Sequence, residues 1–281
     1  MNDLRIDIVT FNANEERAVE QFLDDLLQAW SAWSRAGRRG IKLKGKNNVE
    51  LNHMALNAQG NVVAAAQLAM AFADIEKRPD FVIFYGCAGA VDPAYVGEAF
   101  LIGSVSYASL GTVEPSGRAQ GETVTLKSKW LCNTRNSGAS PLESIDFSEA
   151  LSKGALNLQS ATSLTTAHVV ATDKVIRVAA SLAPPRPLAG TPVHYASGPW
   201  TYGDALAYVT QCYRASPVLV EMESFGIGKI AHALSFDDHV VIVRVVTDDL
   251  VGHRLSKQAQ GDLLMAWRGI LARLVLAMVV L

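Results

Sequence analysis

Carboxylates and glycines gather at three places in the sequence where an apolar segment ends and a polar one begins. Glu15 and Glu16 follow the first apolar segment, and small residues follow a later one in Gly86-Cys87-Ala88-Gly89-Ala90. The third place combines Glu221-Met222-Glu223 with Val243-Arg244-Val245-Val246-Thr247-Asp248-Asp249. Carboxylates can act as general acid and general base, and glycine backbones can approach a ligand closely and offer it N–H donors. These residue types therefore suit proton transfer on a bound ligand.

Each place also has an ordinary structural interpretation. Acidic residues in a first helical turn interact favourably with the helix dipole, and a tight turn explains the glycines, which lack the Gly-x-Gly-x-x-Gly spacing of dinucleotide sites. Glu223 precedes a predicted helix as a capping residue would, and Asp248 or Asp249 can close a turn. Carboxylates concentrated at strand ends seldom stabilise a fold, which favours a functional role at the third place.

The surrounding sequence predicts strands that alternate with helices. Strands are predicted over residues 4–10, 49–56, 81–85, 99–107, 168–171, 218–222 and 240–246. Helices are predicted over residues 15–30 with Asn14 as N-cap, 62–76, 226–234 and 257–281. The uninterrupted apolar run over residues 81–85 is typical of a strand buried on both faces. The alternation predicts one α/β domain over residues 1–281, built as a three-layer α/β/α sandwich.

Three polar or irregular segments have no assigned element. Residues 34–48 are basic, and a solvated loop or hairpin is favoured there over an anion site. Residues 116–140 are polar, and residues 183–203 are rich in proline and glycine. Long irregular segments in a compact domain often form lids or binding loops, although a surface insertion explains them equally well.

Bulk composition narrows the class of protein. The chain has 281 residues, of which 49% are hydrophobic and 19% are charged, and this composition predicts a globular domain. Its net charge of −2 predicts no electrostatic attraction to nucleic acid or to an anionic membrane. Its three cysteines suit neither a disulfide framework nor a zinc site. The apolar run over residues 270–281 is too short to span a bilayer. We therefore expect a cytoplasmic protein without a metal.

Taken in order, the motifs resemble those of the nucleoside phosphorylase/nucleosidase superfamily, and most closely the methylthioadenosine/S-adenosylhomocysteine nucleosidases. The superfamily has counterparts of three motifs in this sequence. They are the glycine motif of residues 86–90 with the following Val96-Gly97-Glu98, the Glu-Met-Glu motif of residues 221–223, and the Arg-x-x-Thr-Asp motif of residues 244–248. Residues 169–176 are similar to the segment that contacts the base, and residues 8–19 align without gaps. The resemblance implies a phosphorylase/hydrolase-like fold with a central mixed sheet, and a homodimer or higher homo-oligomer.

The resemblance also implies roles for individual residues. Glu15 takes the position of the base that activates water, Arg244 helps to hold that water, and Asp248 protonates N7 of the departing purine. Substrate-binding positions fall on Glu223 for the ribose hydroxyls, Met222 for the sugar, Ile176 for the base edge, and Cys87, Ala88, Gly89 and Val175. Two positions depart from the family pattern, because Cys87 replaces a usual serine and Val175 replaces a phenylalanine.

The expected reaction is hydrolysis of a purine nucleoside or nucleotide to the free base and a ribose product, without a cofactor. Phosphorylases of the superfamily carry an arginine at the position of Phe84, and their early phosphate loop is replaced here by Phe11-Asn12-Ala13-Asn14-Glu15. Phosphorolysis remains one alternative. A catalytically weak nucleoside-binding protein on the same fold is another, and an unrelated α/β protein with accidental matches is a third.

Overall fold

A computed structural model of the chain describes residues 4–37, 39–43, 48–56, 59–75, 78–90, 92–107, 123–124, 144–147, 151, 157–171, 200–201, 217–249 and 255–279. These residues form a mixed α/β fold with a central sheet, as the alternation of segments predicts. The strands are β1 Leu4–Thr10, β2 Trp33–Arg35, β3 Gly40–Leu43, β4 Val49–Ala55, β5 Phe81–Ala90, β6 Ala99–Tyr107, β7 Thr123–Val124, β8 Ser144–Asp146, β9 Thr166–Ala171, β10 Trp200–Thr201, β11 Val218–Glu221 and β12 Val240–Asp248. The α-helices are α1 Ala13–Ala29, α2 Asn61–Phe72, α3 Leu158–Thr162, α4 Ser224–Ala233, α5 Lys257–Trp267 and α6 Gly269–Val279.

Ten strands belong to the main sheet, and part of that sheet closes on itself. Strand β5 pairs with β12 in parallel, β12 with β6 antiparallel, β6 with β9 in parallel, and β9 with β11 in parallel. Strand β11 then returns to β5 in antiparallel pairing, which completes a ring of five strands. Strands β1, β4, β3 and β2 continue from β5 as an open arm. The prediction of a layered sandwich did not include this closure.

The helices pack on the sheet in two groups, each with its own hydrophobic cluster. One cluster joins α1 and the C-terminal helices to alternate residues of the strands, including Ile83 and Val243. The other joins α2 and α4 to the intervening residues, including Phe84 and Ile242. Successive side chains of a strand point to opposite faces, so strands buried on both sides read as continuous apolar runs.

Several predicted boundaries differ from the structure. Helix α1 begins at Ala13 with Asn12 as its N-cap, so the prediction of Asn14 as the cap was wrong. The C-terminal segment forms two helices that meet near Arg268, rather than one. The described residues of the basic segment lie in and beside the β2–β3 hairpin. No helix in the described part of the chain is long and apolar enough to cross a membrane.

Strand β5 also continues through the glycine motif, where the sequence predicted a loop. Its first half pairs with β1 as far as Phe84, and its last two residues, Gly89 and Ala90, pair with β11. Among the described strands, none pairs with this edge of β5 over residues 85–88, between the β1 and β11 pairings. Backbone N–H groups in a buried strand need partners, so this interval is a natural place for side chains to bind the backbone.

Candidate active site

Glu15 lies in the first turn of α1 and is only 3% exposed. The Asn12 side chain accepts hydrogen bonds from the backbone N–H groups of Asn14 and Glu15, and the Glu15 carboxylate reaches back to the backbone N–H of Asn12, which completes a capping box. Glu15 Oε2 accepts from Phe11 N at 2.8 Å and from Asn12 N at 3.2 Å. The predicted structural role and the predicted functional role thus fall on the same carboxylate.

The other oxygen of Glu15 binds the open interval of β5. Its Oε1 accepts a hydrogen bond from Cys87 N at 3.0 Å. A Cβ atom built on Gly86 would lie 2.8 Å from Glu15 Oε1 and 3.1 Å from Arg244 Nη1. Both groups would have to move to admit a side chain there, so glycine allows Glu15 and Arg244 to approach the strand from the same side.

Arg244 is 1% exposed and is held by a network around the start of α4. Its Nη2 donates to Glu221 Oε2 at 2.9 Å and to Ser224 Oγ at 3.1 Å. Glu221 in turn accepts from the backbone N–H groups of Ser224 and Glu223. Within the described part of the molecule, Arg244 Nε has no hydrogen-bond partner, which is unusual for a buried donor and typical of functional sites.

Glu221 therefore orients Arg244 and also satisfies the N-terminus of α4. The sequence interpretation considered Glu223 as the capping residue of this helix, but the Glu223 side chain makes no capping bond. Glu221 received no role in advance. Its place in a Glu-Met-Glu motif two positions from Glu223 was the available signal, because residues two positions apart along a strand point to the same face.

Glu223 is half-buried and faces α2. Its Oε1 accepts a hydrogen bond from Gly60 N at 3.3 Å, at the N-terminus of that helix. Asn61 fixes α2 against α4, since its Oδ1 accepts from Gly226 N at 3.0 Å. A carboxylate at a helix N-terminus is stabilised by the unpaired N–H groups and the helix dipole.

The charged groups of this cluster influence one another strongly. Burial raises the pKa of Glu15, although Arg244 and the hydrogen bonds from Phe11 and Cys87 oppose the change. Burial and the neighbouring Glu221 raise the pKa of Glu223 to about 8, again against the opposing influence of Arg244. Burial lowers the pKa of Arg244, but the three carboxylates together raise it above its ordinary value. One cation thus faces Glu15, Glu221 and Glu223.

Cys87 contacts Glu15 through its backbone N–H and is also influenced by the charge of Glu223. Burial, with the charges of those two carboxylates, raises the pKa of its thiol, so the thiol is protonated at neutral pH. A protonated, partly buried thiol is a poor nucleophile. The structure thus gives Cys87 a place in the cluster but not the reactivity of a catalytic cysteine.

The glycine motif and the end of β12 bring Asp248 to the same region of the sheet. Val246 pairs with Ala88, a bulge follows, and Asp248 then pairs with Gly89. The strand is held just before the bulge, because Val246 N donates to Glu98 O and Gly97 N donates to Val246 O, both at 2.9 Å. Met222 is partly buried beside Glu221 and Glu223. Val175 and Ile176 lie outside the described residues.

The alternative anion site in residues 34–48 gains no support from its described cations. Arg35 forms an ion pair with Asp24, Arg39 with Glu16, and Lys42 with Glu50. No group of three or more metal-ligating side chains occurs in the described ranges. The acidic cluster around Arg244 is accordingly the strongest candidate site on these residues.

The raised pKa of Glu223 predicts a pH-dependent stability. A carboxyl group whose pKa is higher in the folded state stabilises that state below its unfolded pKa, and this contribution is lost as the pH rises through about 8. We compare the thermal midpoints of the wild-type protein and of Glu223→Gln at pH 5 and at pH 8.5. Between these pH values, the midpoint of the wild type should fall by on the order of 2–4 °C more than that of the variant. Differential scanning calorimetry across this range measures the difference. Parallel curves for the two proteins would show that Glu223 does not take up a proton on folding.

The sequence matches no protein-family model and no curated protein, whereas the fold matches many solved structures. A futalosine hydrolase mutant from Helicobacter pylori has a TM-score of 0.54 at 11% identity, with 98% of each chain covered. A 5'-methylthioadenosine/S-adenosylhomocysteine nucleosidase from the same organism has a TM-score of 0.53 at 11% identity, with 99% of each chain covered. The Streptococcus pneumoniae MTA/SAH nucleosidase has a TM-score of 0.51 at 15% identity, with 98% of this chain and 99% of that chain covered. The chain therefore has the fold of the nucleoside phosphorylase/nucleosidase superfamily, as its motifs predicted.

Proposed function

We propose that the protein is an N-ribosyl hydrolase that cleaves the bond between ribose and a purine base. The observation that carries this proposal is the approach of Glu15 and Arg244 to Gly86, with Glu223 near enough for both to influence its charge, in a fold shared with purine nucleosidases. The three side chains come from distant parts of the sequence. Such an arrangement of titratable groups with raised pKa values is characteristic of a functional site.

The proposed chemistry assigns each group a distinct task. Cleavage of an N-glycosidic bond builds positive charge on the ribose and negative charge on the base. Glu15 removes a proton from water, Glu223 binds the 2′- and 3′-hydroxyls beside the developing cation, and Asp248 donates a proton to N7 of the leaving purine. Burial raises the proton affinity of Glu15, which makes its carboxylate a stronger base, and Arg244 opposes an excessive increase.

Water is a better nucleophile than phosphate for this cluster. Three carboxylates surround Arg244, and its Nη2 already binds Glu221. A phosphate anion entering beside Glu15 would meet strong repulsion. Phe84, which stands where phosphorylases of the superfamily have an arginine, is 1% exposed and stacks on Phe11 with ring centroids 6.1 Å apart. Its apolar surroundings are unsuited to anion binding.

A screen for release of free base tests the proposal. The protein would be incubated with each candidate substrate, with and without phosphate, and the products would be separated by chromatography. The candidates are methylthioadenosine, S-adenosylhomocysteine, futalosine, adenosine, inosine, AMP and ATP. We expect base release from at least one purine riboside without phosphate. Strict dependence on phosphate would indicate a phosphorylase. Thermal stabilisation by adenosine analogues without base release would instead identify a nucleoside-binding protein.

The ribose role of Glu223 predicts a difference between sugars. We expect Glu223→Ala to lower kcat/KM for a riboside by roughly 10²-fold or more. The matching 2′-deoxyriboside should be affected less, because it lacks the hydroxyl to which Glu223 would bind. Steady-state kinetics on both substrates measures the effect. The half-buried Glu16, whose partner is Arg39, provides a matched control as Glu16→Ala. Equal losses on both sugars would contradict a contact between Glu223 and the ribose hydroxyls.

A homo-oligomer is part of the proposal, and the exposed face of α2 supports it. The exposed side chains of α2 are Val62, Val63, Ala66 and Met70, and all four are apolar. An uncharged helical face at a two-fold axis can pair with its own copy. Gly60, which binds Glu223, is the N-cap of α2. We expect the wild type to sediment as a dimer or larger species and Val62→Glu/Met70→Glu to sediment as a monomer. A monomeric wild type would contradict this part of the proposal.

A further inference from the structure

The two ends of the Asn12 side chain bind different parts of the candidate site. Its Oδ1 accepts from Asn14 N at 3.0 Å and from Glu15 N at 3.2 Å, and its Nδ2 donates to Cys87 Sγ at 3.8 Å, a usual length for a bond to sulfur. The two backbone donors fix which end of the amide is oxygen, because a reversed amide would turn its N–H groups toward other N–H groups. The Nδ2 donor is therefore held toward Cys87.

The thiol of Cys87 links Asn12 to Glu15. Its sulfur accepts from the Asn12 amide, and the Cys87 side chain lowers the pKa of Glu15 while burial raises it. The backbone N–H of Cys87 binds the same carboxylate at 3.0 Å. One residue of β5 therefore contacts Glu15 through both its backbone and its side chain.

Resting on the proposed function, we propose that Asn12 is a positioning residue that acts on Glu15 through Cys87. Its amide holds the thiol in the rotamer in which the S–H points at the Glu15 carboxylate. A thiol is a weak hydrogen-bonding group, so its orientation depends on a second partner more than that of a hydroxyl would. Asn12 compensates for the presence of sulfur at position 87.

The pH dependence of kcat/KM tests this role. Asn12→Ser keeps an N-capping side chain, which leaves helix α1 intact, but removes the donor to Cys87. The weakened thiol bond should raise the pKa of Glu15, and the acid limb of the profile should move to higher pH by roughly half a unit or more. Cys87→Ser in the Asn12→Ser background should restore the wild-type acid limb, because a hydroxyl orients itself with less help.

Asn14→Ser serves as the matched control, since Asn14 lies in the same turn but donates to Lys257 O rather than to Cys87. An unchanged acid limb in Asn12→Ser would overturn the proposal. A lower thermal midpoint without a shifted limb would also overturn it, because the role would then be purely structural. A shifted limb that Cys87→Ser does not restore would mean that Asn12 acts by another route, which contradicts the proposal as well.

A second measurement is independent of turnover. The rate at which methyl methanethiosulfonate modifies Cys87, followed by peptide mass spectrometry, should fall in Asn12→Ser at fixed pH, because loss of an N–H donor destabilises the thiolate. An equal or faster rate would contradict the Asn12–Cys87 bond. If the wild-type protein released no base from any nucleoside, the proposed function would fail, and the labelling rate would still decide whether Asn12 holds the thiol.

Discussion

Glu15→Gln should lower kcat for base release by roughly 10²–10⁴-fold, the range that a general base contributes. Glutamine has nearly the shape of glutamate, and its Oε1 can still accept one of the hydrogen bonds from Phe11, Asn12 and Cys87 that hold the native side chain. It cannot take a proton from water at neutral pH. We therefore expect the variant to fold and to bind substrate while losing most of its turnover.

Stability separates this effect from simple damage to the fold. Because burial raises the pKa of Glu15, ionised Glu15 is costly at neutral pH, and its neutral replacement should leave the thermal midpoint at pH 8 unchanged or higher. Glu16→Gln is the matched control, since it alters the next residue of the same turn and removes only a surface ion pair with Arg39. Unchanged hydrolysis by Glu15→Gln would show that the general base lies elsewhere.

The position of Glu15 shows how far sequence reasoning could reach. Two interpretations competed for it, favourable interaction with the helix dipole and proton transfer. The structure shows that its carboxylate completes a capping box, and proton transfer stays a prediction. The capping box was readable in principle from Asn12 and Glu15, which stand three residues apart. The helix start was nevertheless predicted at the wrong residue, because Asn14 is also a good capping residue and local sequence does not decide between the two.

The strands were predicted more closely than the relations between them. β1 and β6 have the predicted bounds, since apolar runs report burial directly. The extension of β5 through Gly86 depends on β12 and β11, which follow more than a hundred residues later. Likewise, the bond between Glu221 and Arg244 joins residues 23 positions apart. Such pairings depend on tertiary structure, which propensity and periodicity do not encode.

The superfamily's fold was predicted from the motifs for a related reason. The motifs lie at strand ends, where the fold requires glycine or a particular polar group, whereas the intervening core accepts many apolar side chains. A chain can thus keep its fold at 11% identity to the futalosine hydrolase structure. Cys87, which replaces a serine of the family pattern, donates its backbone N–H to Glu15 and accepts a hydrogen bond from the Asn12 side chain.

Asp248→Asn is the second substitution for which we expect a large effect, a loss of kcat of roughly 10²–10⁴-fold with substrate binding retained. An asparagine can donate a hydrogen bond to N7 of the purine but cannot transfer a proton to it. The loss should therefore be smallest for substrates whose leaving group departs readily without protonation, such as a p-nitrophenyl riboside. Single-turnover kinetics with a riboside and with this activated analogue measures the contrast.

The neighbouring Asp249 supplies the control that this assignment needs. Asp249 is 7% exposed, whereas Asp248 is half-buried and pairs with Gly89 of the glycine motif after a bulge in β12. A bulge redirects the side chains that follow it, so the two aspartates face different surroundings and only one of them can serve the purine. If Asp248 is the proton donor, Asp249→Asn should change the stability of the protein but should hardly change the ratio of the rates on the riboside and on the activated analogue. If Asp249→Asn instead abolishes turnover of the riboside and spares the activated analogue, the proton donor is Asp249 and the role of Asp248 must be withdrawn.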